Sequence, residues 1–133
     1  MPVDFKGDRL EPHEVRFVER FLDAGEQFEW IKRDSDRKPS NDFLWTSNNG
    51  IPTELKSTKA RFETIHGQIV SAASRAAKQS VTKNNFMIDI GDETLTAELR
   101  EKLAAFNVDR RKYRVAGIWV MAQGQLHRIE LDN

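Results

Sequence analysis

The sequence predicts an α/β fold, a mixed sheet flanked by helices, with elements in the order α-β-β-β-α-β-α-β-β. Three observations carry that expectation. Apolar residues recur at helical spacing in three separate stretches. Two apolar segments, Phe43 to Trp45 and Ile51 to Leu55, flank Asn49-Gly50, a dipeptide suited to the positive backbone angles of a tight hairpin turn. The run Phe86 to Ile90 reads as a compact buried strand between two of the helical stretches, ended by Gly91-Asp92.

Each element has its own local reason. Glu11-Pro12 is a helix start, because proline is tolerated where the first N–H has no helical partner. Val15, Phe17, Val18, Phe21 and Leu22 then form one apolar face, and Gly25 supplies a stop. Phe28 to Ile31 alternates as a short strand, and the charged stretch from Lys32 to Ser40, with Pro39, reads as a loop. After the hairpin, a long helix over about Lys59 to Gln79 places Phe62, Ile65, Ile69, Ala72, Ala73 and Ala76 on one side. Thr94 to Phe106 is a second amphipathic helix through Leu95, Leu99, Leu103 and Phe106. Arg114 to Met121 and Gln125 to Leu131 close the chain as a hairpin around Gly124.

With 133 residues and no long linker or repeat, the chain is expected to form one domain. Its 38% hydrophobic and 32% charged residues are those of a soluble protein with a solvated surface. The absence of cysteine excludes a disulfide framework and a thiolate zinc site. Met1 to Leu10 lacks the apolar core of a signal peptide, and no segment approaches membrane-spanning length. A net charge of zero weighs against indiscriminate coating of nucleic acid. The charge is nonetheless uneven: Lys56 to Lys83 holds six basic residues and one acid, Glu63. A second basic cluster, Arg110, Arg111, Lys112 and Arg114, precedes the terminal hairpin. Either alone is an ordinary solvated patch.

The chemistry concentrates at Asp42, Glu54 and Lys56. In a strand, side chains alternate between faces, so Glu54 and Lys56 point the same way while Leu55 points into the core. Asp42 opens the first hairpin strand and comes near Glu54 once the strands pair. Two carboxylates and an ammonium gathered at one end of a hairpin suit a divalent metal and an activated water. The plainer reading is a same-face ion pair worth ~0–1 kcal/mol if exposed.

With that element order, Ser40-Asn41-Asp42 and Glu54-Leu55-Lys56 resemble the motif of the PD-(D/E)XK nuclease superfamily. More closely, the chain is similar to the C-terminal nuclease toxin domains of contact-dependent growth inhibition and related polymorphic toxins. Glu14, Gly25, Lys38-Pro39-Ser40-Asn41-Asp42-Phe43-Leu44, Glu54-Leu55-Lys56-Ser57 and Lys78-Gln79 occur in the order of that pattern. Pro39 and Asn41 depart from a clean Pro-Asp pair, although only the aspartate is chemically required. The resemblance covers about residues 11–90, and the helix and hairpin over about 94–131 lie outside it.

The resemblance implies a restriction-endonuclease-like core and a catalytic set of Glu14, Asp42, Glu54 and Lys56. Asp42 and Glu54 would hold Mg²⁺ or Mn²⁺, with Glu14 completing the set directly or through water and the Leu55 carbonyl adding a ligand. Lys56 would orient or deprotonate the water, or neutralise charge on the phosphate. Lys59, Arg75, Lys78 and Gln79 are the expected nucleic-acid contacts. The implied activity is hydrolysis of RNA, preferably transfer RNA, in interbacterial competition, with DNA as the nearest alternative. The implied partner is a cognate immunity protein. The domain would be the soluble tip of a larger exported effector, active in the target-cell cytoplasm. A non-catalytic nuclease-fold binding or immunity protein is the reading from another class.

Other residues point elsewhere only weakly. His13, His66 and His127 show no zinc spacing, and His66 is the best candidate for metal-free acid–base catalysis. Trp30, Trp45 and Trp119 read as core or half-buried sheet residues. Asp34 and Asp36 read as loop charges, and Asp89 as an acid at a strand end.

Overall fold

The structure, a computed structural model, describes residues 4–5, 8–9, 11–31 and 41–132. The expected loop 32–40, with Asp34, Asp36 and the Lys38-Pro39-Ser40 part of the motif, lies outside the described residues. A short antiparallel ladder, β1 (Asp4–Phe5) with β2 (Asp8–Arg9), precedes helix α1 (Pro12–Asp23). Then come β3 (Glu29–Trp30), β4 (Phe43–Trp45), β5 (Ile51–Ser57), α2 (Phe62–Ala77), β6 (Asn85–Asp89), α3 (Ala97–Ala104), β7 (Gly117–Ala122) and β8 (Gln125–Arg128). Strands β3 to β8 form one six-stranded mixed sheet in sequential order. The β5–β6 and β6–β7 pairs are parallel and the others antiparallel. The fold is therefore α/β in the predicted order, with β1–β2 added.

Alternation along the strands divides the core into two layers. Leu55, Met87 and Met121 point to one face with Phe17, Val18 and Phe21 of α1, and Trp30, Phe43 and Trp45 complete that cluster. Phe86, Ile88, Ile118 and Val120 point to the other face, where α2 and α3 supply Ile65, Ile69, Leu99 and Leu103. The two parallel crossovers place both helices on the same side, as strands added successively in one direction require. No helix among the described residues is long and apolar enough to cross a membrane.

Local chemistry sets the boundaries. Helix α1 starts in a capping box, in which Glu11 and Glu14 satisfy each other's end of the first turn. Helix α3 starts three residues later than the apolar pattern suggests, because the Thr96 hydroxyl accepts the Leu99 N–H at 3.1 Å. Helix α2 ends where Val81 donates to the Ala76 carbonyl at 3.0 Å and Ser80 takes a φ of 61°. The β4–β5 connection occupies 46–50, between the strand ends expected at Trp45 and Ile51, and is longer than a two-residue turn. Asn49 and Gly50 do have positive φ, but the ladder closes at Trp45 and Ile51. Ser47 explains the longer loop: its hydroxyl donates to Glu26 at 2.8 Å, and its oxygen accepts the Trp45 indole N–H at 3.0 Å.

A candidate active site around Glu54

Strand β5 carries the site. Glu54 and Lys56 project from the face that α2 covers, opposite to Leu55. Lys56 Nζ lies 3.3 Å from Glu54 Oε2, and Lys83 Nζ lies 3.1 Å from Glu54 Oε1. The Glu54 side chain is only 6% exposed, Lys83 10% and Lys56 25%, so the buried carboxylate is held by two half-buried ammonium groups. Such an arrangement is far from the exposed pair of the plainer reading. The approach of Lys83 lacks the alignment of a hydrogen bond, which leaves Glu54 Oε1 a buried acceptor held by charge alone.

Asp42 reaches the same strand through a local irregularity. Its N–H donates to the Thr53 carbonyl at 3.0 Å, although Thr53 is the register partner of Phe43. Two residues sharing one partner is the pattern of a β-bulge, which re-aims a side chain. The Asp42 carboxylate accepts the Leu55 N–H at 2.8 Å through Oδ2, taking the place of a ladder carbonyl beyond the end of β4. Asp42 and Glu54 thus both lie beside the Leu55 peptide. Asn41 ties this corner to the loop before β6, its side-chain NH₂ donating to the Thr82 carbonyl at 3.2 Å, while its buried Oδ1 has no hydrogen-bond partner among the described residues.

Glu14 departs from the implied ligand set. Its carboxylate accepts the Glu11 N–H at 2.9 Å, and α1 packs on the face opposite to Glu54. Among the described residues no three acids or histidines gather closely enough to hold one metal ion. The remaining donors still fit a hard divalent cation. Mg²⁺ retains waters and is commonly held by one or two carboxylates plus substrate phosphates. Asp42 and Glu54 supply that number, and two buried oxygens at this corner have unused hydrogen-bonding capacity.

Helix α2 and Lys56 enclose a groove of about 460 Å³ lined by Glu63, Thr64, Gly67, Gln68, Ser71 and Arg75. These residues form a stripe at helical spacing, and Arg75 donates to the Ser71 hydroxyl at 3.2 Å. Arg75 therefore shares this groove with Lys56. Lys78 is the C-cap of α2 and Gln79 follows it; both are exposed and neither lines the groove. Lys59 lines a different cleft. Lys83 and Gln68 were not singled out by the sequence. Only the position of Lys83 in the basic Lys56 to Lys83 segment hinted at a role.

His66 and His127 sit in structural settings. His66 packs between Phe62 and Phe106, with ring centroids 5.5 and 5.4 Å away, and meets the Arg110 guanidinium. Burial, then the Arg110 charge, lowers its pKa. His127 is lowered in the same way by burial and by Arg100. Trp30 and Trp45 are buried and Trp119 half-buried, as their strand positions predict.

Searches against protein families, curated proteins and solved structures find no match for this chain. The functional reading therefore rests on the residues and their geometry.

Proposed function

We propose that this chain is a divalent-metal-dependent nuclease, acting on RNA with transfer RNA as the preferred substrate, in the manner of a toxin domain restrained by an immunity protein. The observation that carries the reading is the buried Glu54 carboxylate, held between Lys56 and Lys83 beside Asp42. Its setting supports the same reading: α1, the β3–β4–β5 meander, α2, and β6 parallel to β5 follow the order of a PD-(D/E)XK core.

A cation held by Asp42 and Glu54 would supply Lewis acidity toward the phosphodiester and acidify the attacking water. The chain's own groups account for the rest. Glu54 orients the Lys56 ammonium, which faces the α2 groove and neutralises charge developing on the phosphate. Arg75 and Gln68 hold the substrate backbone along that groove. Lys83 neutralises the buried Glu54 carboxylate, which with Asp42 would hold the cation.

One observation favours a second reading. Both Glu54 oxygens already have an ammonium within 3.3 Å, which suits a non-catalytic binding module equally well. Cleavage of total RNA and plasmid DNA, with Mg²⁺ or Mn²⁺ and with EDTA, separates the two. Discrete RNA fragments that vanish with chelator, in Glu54→Gln and in Lys56→Ala, are the expected outcome. Metal-dependent nicking of DNA alone changes the substrate, and cleavage in EDTA refutes the metal mechanism. No cleavage by wild type under any of these conditions leaves the binding module.

A further inference from the structure

Strands β5 and β6 end together, with Ser57 in register with Asp89. At this end, on the α1 face, a cleft of about 340 Å³ opens between α1 and the turns that follow both strands. His13, Arg16 and Arg20 line it from α1, at a spacing that keeps them on one side of the helix. Lys59 lines it from the turn after β5.

Four basic groups around one concavity need a reason. Arg20 has one, an ion pair with the exposed Asp92 carboxylate at 2.7 Å. Arg16 and Lys59 are exposed, and among the described residues neither has a carboxylate within ion-pair distance. Asp89, at the base, is buried and accepts the Gly91 N–H at 3.0 Å. Burial raises its pKa, against the opposing effects of the Gly91 N–H and of Arg20, Arg16 and His13, and the cationic side chains of the cleft outnumber it. The cleft is thus shaped and charged for a tetrahedral oxyanion.

Its position relative to the Lys56 groove narrows the ligand. Lys56 and Ser57 are consecutive residues on opposite faces of β5, so groove and cleft stand back to back across the end of one strand. A duplex, stiff over a persistence length of about 50 nm, does not fold around a single strand end. A flexible single strand does. We propose that the His13–Arg16–Arg20–Lys59 cleft binds a backbone phosphate of a single-stranded polynucleotide whose adjoining segment lies in the Lys56 groove. This rests on the nuclease reading for the groove and extends it to an unpaired substrate segment, such as a loop.

The test measures binding of a short fluorescent single-stranded RNA in EDTA, by anisotropy over a range of salt. The Arg16→Ala/Lys59→Ala variant is compared with Arg111→Ala/Lys112→Ala, which removes the same charge from exposed sites elsewhere. The cleft variant should lose affinity on the order of tenfold, and its log–log salt slope should shrink by about 0.7, the contribution of one single-strand phosphate. The control variant should stay near wild type, and a duplex of the same sequence should bind more weakly and ignore the cleft variant. Equal losses in both variants, or equal duplex binding, overturn the proposal. Inorganic phosphate that shifts the Thr58 and Gly91 amide resonances, with RNA binding indifferent to the cleft variant, makes the cleft a free-phosphate site and also overturns it. Loss of RNA binding through the cleft by a protein that cleaves nothing with Mn²⁺ upholds the cleft and refutes the nuclease reading instead.

Discussion

Replacing Lys83 by Met keeps the bulk of the side chain and removes the charge 3.1 Å from Glu54 Oε1. At that separation and an effective dielectric of about 20, the gross attraction is ~5 kcal/mol. Relief of Lys83 desolvation offsets part of it, and Lys56 remains 3.3 Å from the other oxygen. Breaking a buried pair typically costs ~3–5 kcal/mol. The second lysine places this variant at or below the lower end, about 2–3 kcal/mol. Urea unfolding in EDTA reads that loss directly. If Glu54 is also a cation ligand, metal at about a hundred times its Kd returns ~2.7 kcal/mol to the variant. Wild type gains less, because there the cation must first displace Lys83. A variant within ~0.5 kcal/mol of wild type, the range of neutral surface changes, would refute the ion-pair account. A variant that loses stability but responds to Mn²⁺ no more than wild type would refute the cation account.

Two further outcomes follow from the packing and the charges. A Cβ on Gly117 would stand 2.3 Å from the Trp119 ring, which meets Trp45 edge-on at 4.9 Å, so Gly117→Ala must push the tryptophan aside. A loss of about 2–3 kcal/mol in urea unfolding, with altered near-ultraviolet circular dichroism, is expected; an unchanged spectrum would count against this packing. His66 and His127 have lowered pKa values in the fold, so the unfolded chain binds more protons just below the ordinary value of 6.5. Stability from these groups is complete above that value and is lost as pH falls toward their folded pKa values. His66→Gln should flatten the decline in melting temperature between neutral and mildly acidic pH, and an identical decline would show that His66 does not drive it.

The order of elements was legible because the pattern repeats: Phe17, Val18 and Phe21 on α1, Ile65, Ile69 and Ala73 on α2, and the apolar run of β6. Glu54 and Lys56 were legible as a pair because period two admits one answer for residues two apart. Lys83 was not. Its approach to Glu54 depends on how the loop after α2 turns back, which Ser80 and the Ala76 carbonyl decide. Glu14 was read as a ligand because it borders the buried helical face; the capping box and the opposite layer claim it instead. Lys78 and Gln79 stand at the end of α2, exposed and outside the groove. The ladder β1–β2 was not read, because Asp4-Phe5 and Asp8-Arg9 carry no apolar alternation of the kind Phe28 to Ile31 shows around β3.

The seating of α1 bears on how the chain emerges from a ribosome. Phe17 and Phe21 pack in one cluster with Met121, which belongs to the penultimate strand. At about five to twenty residues per second, the first helix waits roughly five to twenty seconds for its complete seat to be synthesised. In that interval its phenylalanines, and then Trp30, Phe43 and Trp45, have only a partial sheet to cover them. The β4–β5 hairpin forms early, but the parallel partners of β5 arrive only after a whole helix has been made. The order of manufacture is thus the reverse of the order of burial on this face, and the aromatic half of the core is the part a holdase chaperone would meet first.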